Sequence, residues 1–323
     1  MGTFSVMLRN VLLFVALALP GLLLVKTGIL EQKQTGVLSK LLMYIGLPLM
    51  IFSGTMQNIS FNMAFLKSAI AVALVDIAFH LIFIFVLSKP MTAMERDERK
   101  QRTMRFCADF PNNGFLGIPL AAAVFGSDSP VFNIAVIHNI VTNILLYTLG
   151  IYLMSGDKKD ISLKKAFLNP VMIAAVAGCL FSRLGINRVI PEIATFSNYF
   201  SNIVAPLSMT ILGMNMGGIK LQSLFTSWKV YYVSLLKLIV IPLAVMAALV
   251  FFKVILHSPV MDNDFLLATF VAISMPTAGL APTFADTFSG DTPLAVSCTL
   301  GTTILSVVTI PALYGILCLF LGV

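Results

Sequence analysis

Apolar residues run along this chain in ten stretches, and polar and charged residues collect in the short intervals between them. The stretches lie near residues 8–30, 35–56, 65–88, 103–126, 130–155, 168–186, 193–216, 229–252, 264–288 and 294–321. About 20 apolar residues carry a helix across a bilayer. The pattern therefore predicts an all-α polytopic membrane protein with ten transmembrane helices. Arg9 followed by an apolar run containing Ala16-Leu17-Ala18 also fits a signal peptide. That run continues further and takes part in the repeat described below, so it is read as the first span.

Two spans carry a helix-breaking signal at mid-membrane. Phe110-Pro111-Asn112-Asn113-Gly114 interrupts the fourth, and Met275-Pro276-Thr277-Ala278-Gly279 interrupts the ninth. Proline removes a donor and clashes with the preceding turn, and glycine disfavours continuing the helix. Backbone groups freed inside a bilayer are tolerated only where protein or a water-filled cavity satisfies them. Breaks at matching places in two halves are the mark of a secondary transporter's binding site.

The halves correspond elsewhere too. Gly21 to Gly28 resembles Gly178 to Gly185, with Lys26 and Arg183 each two places before the second glycine. Leu47-Pro48-Leu49 resembles Ala205-Pro206-Leu207, and the turn Phe125 to Pro130 resembles Phe288 to Pro293. Five spans per unit is an odd number, so the second copy enters from the opposite side and the repeats are inverted. The expected organisation is a first repeat over 1–155, a linker over 156–166 and a second repeat over 167–323.

Composition agrees: 58% of the chain is hydrophobic, 11% is charged and mean hydropathy is +0.96, which excludes an ordinary soluble domain. The net charge of +7 does not call for nucleic acid, because the basic residues follow the positive-inside rule. Lys89, Arg96, Arg99, Lys100, Arg102 and Arg105 fall between spans 3 and 4, and Lys158, Lys159, Lys164 and Lys165 between spans 5 and 6. Lys33, Lys40, Lys220 and Lys229 share that side; Arg9, Lys67, Arg188 and Lys253 lie opposite. Both termini are thus expected outside the cytoplasm, and the short loops suggest a bacterial inner membrane. Cys107, Cys179, Cys298 and Cys318 lack metal-like or disulfide-like spacing. HExxH, Gly-x-Ser-x-Gly and ATP-binding motifs are missing, so no enzyme and no cofactor are expected.

The run Phe110-Pro111-Asn112-Asn113-Gly114-Phe115-Leu116-Gly117-Ile118-Pro119-Leu120, with ten spans and Leu47-Pro48 in span 2, resembles the auxin efflux carrier family. The resemblance covers essentially the whole chain. It implies the fold of bile-acid sodium symporters: a scaffold of spans 1, 2, 6 and 7, a moving transport domain of spans 3–5 and 8–10, and spans 4 and 9 crossing where they unwind. It further implies elevator-like transport of a small organic acid such as malate, malonate or an auxin-like carboxylate, and a homodimer in the lipid bilayer. The chain departs from the plant carriers in its short central loop and in having Thr277 and Ala278 opposite Asn112 and Asn113.

Asn112 and Asn113 are the first site candidates, since a carboxamide both donates and accepts and the following half-helix offers free N–H groups to an anion. Pro111, Gly114, Pro276, Thr277, Ala278 and Gly279 complete the crossing. Pro48 and Pro206, with Gly46, Ser53, Ser208 and Thr210, are expected on the facing wall. Asp109 and Asp286 are carboxylates near the breaks and need a partner or a role. Asp76 and His80 share a helix face and form a candidate proton pair; Lys237, at similar depth, is the alternative partner of Asp76. His138, Asn139 and Asn143 form a polar stripe expected to bond across to Thr299, Thr302 and Thr303. Coupling to protons or to the membrane potential is the leading reading. A sodium-coupled alternative uses Asp109, Asn112, Asn113 and Thr277. Rivals outside transport are a membrane receptor without flux and an intramembrane enzyme using Asp109 and Asp286.

Overall fold

The structure, a computed structural model, describes residues 3–58, 63–161, 164, 167–218, 227–257 and 261–322. Lys165 and Lys220, counted above among the cytoplasmic charges, lie outside the described residues, as does part of the expected linker. The described residues are helical, apart from turns and one isolated antiparallel backbone bridge, Pro111 with Thr277.

In chain order the helices are α1 (Thr3–Lys26), α2 (Gln32–Gln57), α3 (Leu66–Met91), α4 (Glu98–Asp109), α5 (Asn113–Phe125), α6 (Pro130–Ser155), α7 (Pro170–Arg183), α8 (Glu192–Ser201), α9 (Val204–Gly217), α10 (Trp228–Ile255), α11 (Asn263–Ser274), α12 (Ala281–Thr287) and α13 (Thr292–Leu321). Among the described residues α2, α3, α6, α10 and α13 are long and apolar enough to cross a membrane. The fourth and ninth apolar stretches are each two helices, α4 with α5 and α11 with α12. The seventh is split into α8 and α9. Outward-facing Leu19 and Leu23 on α1, Leu74 and Phe85 on α3, Phe251 on α10 and Leu319 on α13 are exposed. Apolar side chains on the outside of long apolar helices suit lipid contact.

Small residues decide two helix pairs. A Cβ on Gly213 of α9 would stand 1.8 Å from the Ala18 carbonyl oxygen of α1, and one on Gly178 of α7 would stand 1.9 Å from Thr55 Oγ1 and 2.7 Å from the Phe52 carbonyl oxygen of α2. Only glycine allows backbones so close, which is how helices associate where no hydrophobic drive separates them from lipid. Elsewhere α6 packs on α3 and α11, and α13 on α4, α10 and α12.

The loop before α4 is tied to α10 by Lys229 Nζ, 2.6 Å from Glu95 Oε2. That hydrogen bond, with one from the Asp97 N–H, lowers the Glu95 pKa from 4.5 to about 2. A depressed carboxylate stabilises the fold above its ordinary pKa and loses that contribution as pH falls through its folded value. Thermal stability in detergent should therefore decline between pH 4.5 and about 2, and Glu95→Gln should remove that part of the slope. The expected size is on the order of 1 kcal/mol, because the pair is partly solvated; identical acid profiles for the two proteins would exclude the contribution.

Candidate functional site

Each break follows from its proline. The residue before a proline is driven out of the helical region, and Phe110 (φ −83°, ψ 120°) and Met275 (φ −65°, ψ 148°) are extended accordingly. The two extended segments then pair: Asn112 N–H donates to the Pro276 carbonyl at 2.8 Å, and Ala278 N–H to the Phe110 carbonyl at 2.9 Å. Pro111 and Thr277 stand opposite each other between these bonds. This is the non-hydrogen-bonded position of an antiparallel pair, so the missing N–H of Pro111 costs nothing there. The Thr277 N–H is free to donate to Thr302 Oγ1 at 3.1 Å.

Ending α4 in the interior leaves carbonyls without helical partners. Thr277 Oγ1 donates to the Cys107 carbonyl at 2.7 Å, and Lys237 Nζ donates to that of Asp109 at 2.8 Å. Lys237 is fully buried. Behind the crossing, His80 Nδ1 lies 2.8 Å from Asp109 Oδ1, and the His80 ring stacks on Phe110 with centroids 4.8 Å apart. A second buried pair joins His138 Nδ1 to Asp76 Oδ1 at 2.8 Å, and His138 Nε2 reaches Thr269 Oγ1 at 3.0 Å. In both pairs the second carboxylate oxygen, Oδ2, is buried without a hydrogen-bond partner.

In front of the crossing lies a cavity of about 60 Å³. Its walls come from Pro111 to Phe115, Ala278 to Leu280, Met43 and Leu47 of α2, Asn139, Thr142, Asn143, Leu146 and Tyr147 of α6, and Asn169, Pro170 and Val171 at the start of α7. Asn113 Nδ2 donates to Thr142 Oγ1 at 3.3 Å, and Asn143 Nδ2 to the Asn139 carbonyl at 2.7 Å. From the other direction α9 touches the crossing through Ser208, whose hydroxyl bonds the Phe115 carbonyl at 2.9 Å and the Ala205 carbonyl at 3.0 Å. A second, apolar cavity of about 140 Å³ lies between α1, α9, α5 and α13.

A family profile described as membrane transport protein matches residues 6–314. The chain belongs to this family. Within it, the chain is 26% identical over 307 residues to an uncharacterized transporter of Methanothermobacter thermautotrophicus, covering 94% of this chain and 96% of the relative. It is 27% identical over 212 residues to an uncharacterized transporter of Methanocaldococcus jannaschii, covering 64% of this chain and 68% of the relative. Both relatives are archaeal. The family is that of the auxin efflux carriers, so the resemblance read from the fourth span holds, and with the apolar helices it makes the chain an integral membrane protein.

Of the residues singled out by sequence, Pro111, Asn112, Asn113, Gly114, Ala278 and Gly279 line the cavity of this transport-family chain. Pro276 and Thr277 sit behind it and hold the crossing. Pro48 and Pro206 do not line it. Successive helical residues point about 100° apart, so Leu47 faces the cavity while Pro48 is buried beside it, and Pro206 is exposed on α9. Asp76 and His80 face inward from α3 but take different partners, and Lys237 serves Asp109 rather than Asp76. Asp286 is exposed on α12 and joins neither buried pair. Thr299, Thr302 and Thr303 bond carbonyls of their own helix instead of the α6 stripe, and Thr302 also receives the Thr277 N–H. Asn169 and Pro170 went unnoticed because Asn-Pro reads as an ordinary helix start, and Asn169 does cap α7 by accepting from the Met172 N–H.

Proposed function

We propose that this protein is a secondary active transporter of a small organic acid anion, driven by protons or the membrane potential, in which the crossing moves past a scaffold in an elevator-like displacement. The observation that carries the reading is the amide-lined cavity in front of two bridged half-helices. It opens between the crossing on one side and α2 with α7 on the other. We assign α1, α2, α7, α8 and α9 to the scaffold and the remaining helices to the transport domain. In support of the two-repeat layout, Gly21 and Gly178 occupy matching sequence positions and make matching close contacts, α1 on α9 and α7 on α2. The orientation with both termini outside the cytoplasm rests on the distribution of basic residues.

The candidate proton-handling groups are the two buried carboxylates, Asp109 and Asp76, each hydrogen-bonded to an imidazole, His80 and His138. The sodium-coupled alternative would use the oxygens left over at the same place: His80 takes Asp109 Oδ1 and Thr142 takes Asn113 Nδ2, while Asp109 Oδ2 and Asn113 Oδ1 are buried without a hydrogen-bond partner. The test is uptake of labelled malate, malonate and an auxin-like monocarboxylate into proteoliposomes without sodium, with and without an inward proton gradient. Uptake should rise with the gradient, and Asp76→Asn should flatten the pH dependence. Unchanged dependence in that variant would remove Asp76 from coupling. Uptake only when sodium is added would favour the sodium reading, and ligand binding without uptake a receptor.

A further inference from the structure

The apolar cavity of about 140 Å³ is separate from the amide-lined one. Leu116 and Leu120, on the first two turns of α5, place it level with the break, and Leu22 of α1 with Met209 and Leu212 of α9 form another wall. Its two hydroxyl-bearing wall residues are already engaged: Thr303 Oγ1 donates to the Thr299 carbonyl at 2.6 Å, and Ser306 Oγ to the Thr303 carbonyl at 2.7 Å. Among the described residues no charged side chain lines it. A buried water needs about two to four polar partners, whereas a cavity of about 150 Å³ with apolar walls stays dry and takes a benzene-sized molecule. A hydrocarbon there gains dispersion contacts along every wall.

The cavity also has an outlet. Leu19, part of its wall, is 52% exposed on the outside of α1, and Val308, next to the lining residue Val307, is 72% exposed on α13. Apolar side chains facing out of a membrane-spanning chain meet hydrocarbon, so the medium at this outlet is lipid tails rather than water. We propose that the cavity is a binding site for the end of one hydrocarbon chain of a bilayer lipid, which enters past Leu19 and lies against α5. At this depth the headgroup stays at the membrane surface, in keeping with walls that carry no cation. The site goes beyond the transport reading and stands without it. Under that reading its walls belong to both the scaffold and the transport domain, so a chain seated there opposes their sliding.

Photolabelling of the full-length protein tests this, in proteoliposomes of phosphatidylcholine with a diazirine at the end of one acyl chain and with labelled residues located by peptide mass spectrometry. Leu116 and Met209, buried in the cavity wall, should be labelled along with the outward-facing Phe251 of α10. Met216→Trp and Ile304→Phe each fill the cavity from a half-buried wall residue. Either should abolish the label at Leu116 and Met209 and keep it at Phe251. Label at Phe251 with none at Leu116 or Met209 in the wild-type protein would overturn the proposal, and so would label at those two residues that survives in a folded, filled variant. The readout does not depend on flux, so either result leaves the transporter reading as it was.

Discussion

Lys237→Met is expected to abolish uptake and destabilise the protein by about 1–3 kcal/mol, the usual cost of leaving a buried hydrogen-bonding group without its partner. Methionine keeps most of the volume, so the loss measures charge and hydrogen bonding. Lys237 is fully buried and its ammonium satisfies the Asp109 carbonyl where α4 stops. Without it, that carbonyl is orphaned, and the Asp109 carboxylate, hydrogen-bonded to His80 and not to Lys237, loses a nearby charge. Asp109→Asn added to Lys237→Met should recover part of the stability, because it removes the uncompensated carboxylate. Thermal unfolding in detergent measures both effects, and wild-type stability in the single variant would show that the ammonium is not what closes the end of α4.

Gly213→Val should prevent assembly of α1 on α9. Overpacking inside a core costs typically about 1–3 kcal/mol when side chains can yield. Here the obstacle is backbone: the new Cβ would meet the Ala18 carbonyl oxygen at 1.8 Å and the Leu22 amide nitrogen at 2.8 Å. The helices would have to separate along their whole contact, so the cost lies above that range. Gly36→Ala, where nothing stands within 4 Å, is the control and should be neutral or stabilising. Size-exclusion behaviour and protease resistance distinguish the two, and a folded, wild-type-like Gly213→Val protein would contradict the close approach.

The crossing was legible because Pro111 and Pro276 break helices by local chemistry, whatever they touch. The glycine correspondence was legible for a similar reason, since Gly21 and Gly178 lie in parallel sequence contexts. Partner choice was not. Asp76 and His80 share an inward face as their spacing says, yet which groups they meet depends on α6 and α4, reached 62 and 29 residues later. Periodicity also fails where helices are wound more loosely. Wide π-type turns at Leu42–Gly46, Phe83–Leu87, Leu146–Gly150 and Leu236–Val240 each alter the helical phase. Lys237 lies inside one of them, so a regular 3.6-residue reading does not fix its direction, and Leu146 and Tyr147 reach the cavity from another.

The Ser208 hydroxyl divides itself between the Phe115 carbonyl and the Ala205 carbonyl on its own helix. If the crossing slides past α9, the hydroxyl keeps Ala205 and loses only Phe115. The vacancy falls on the Phe115 carbonyl alone, and a lost hydrogen bond of about 1 kcal/mol is roughly fivefold in a rate. Under that motion Ser208 would work as a clutch, holding the half-helix at rest and slipping without being stranded, and Ser208→Ala is expected to change the speed of turnover rather than the strength of binding.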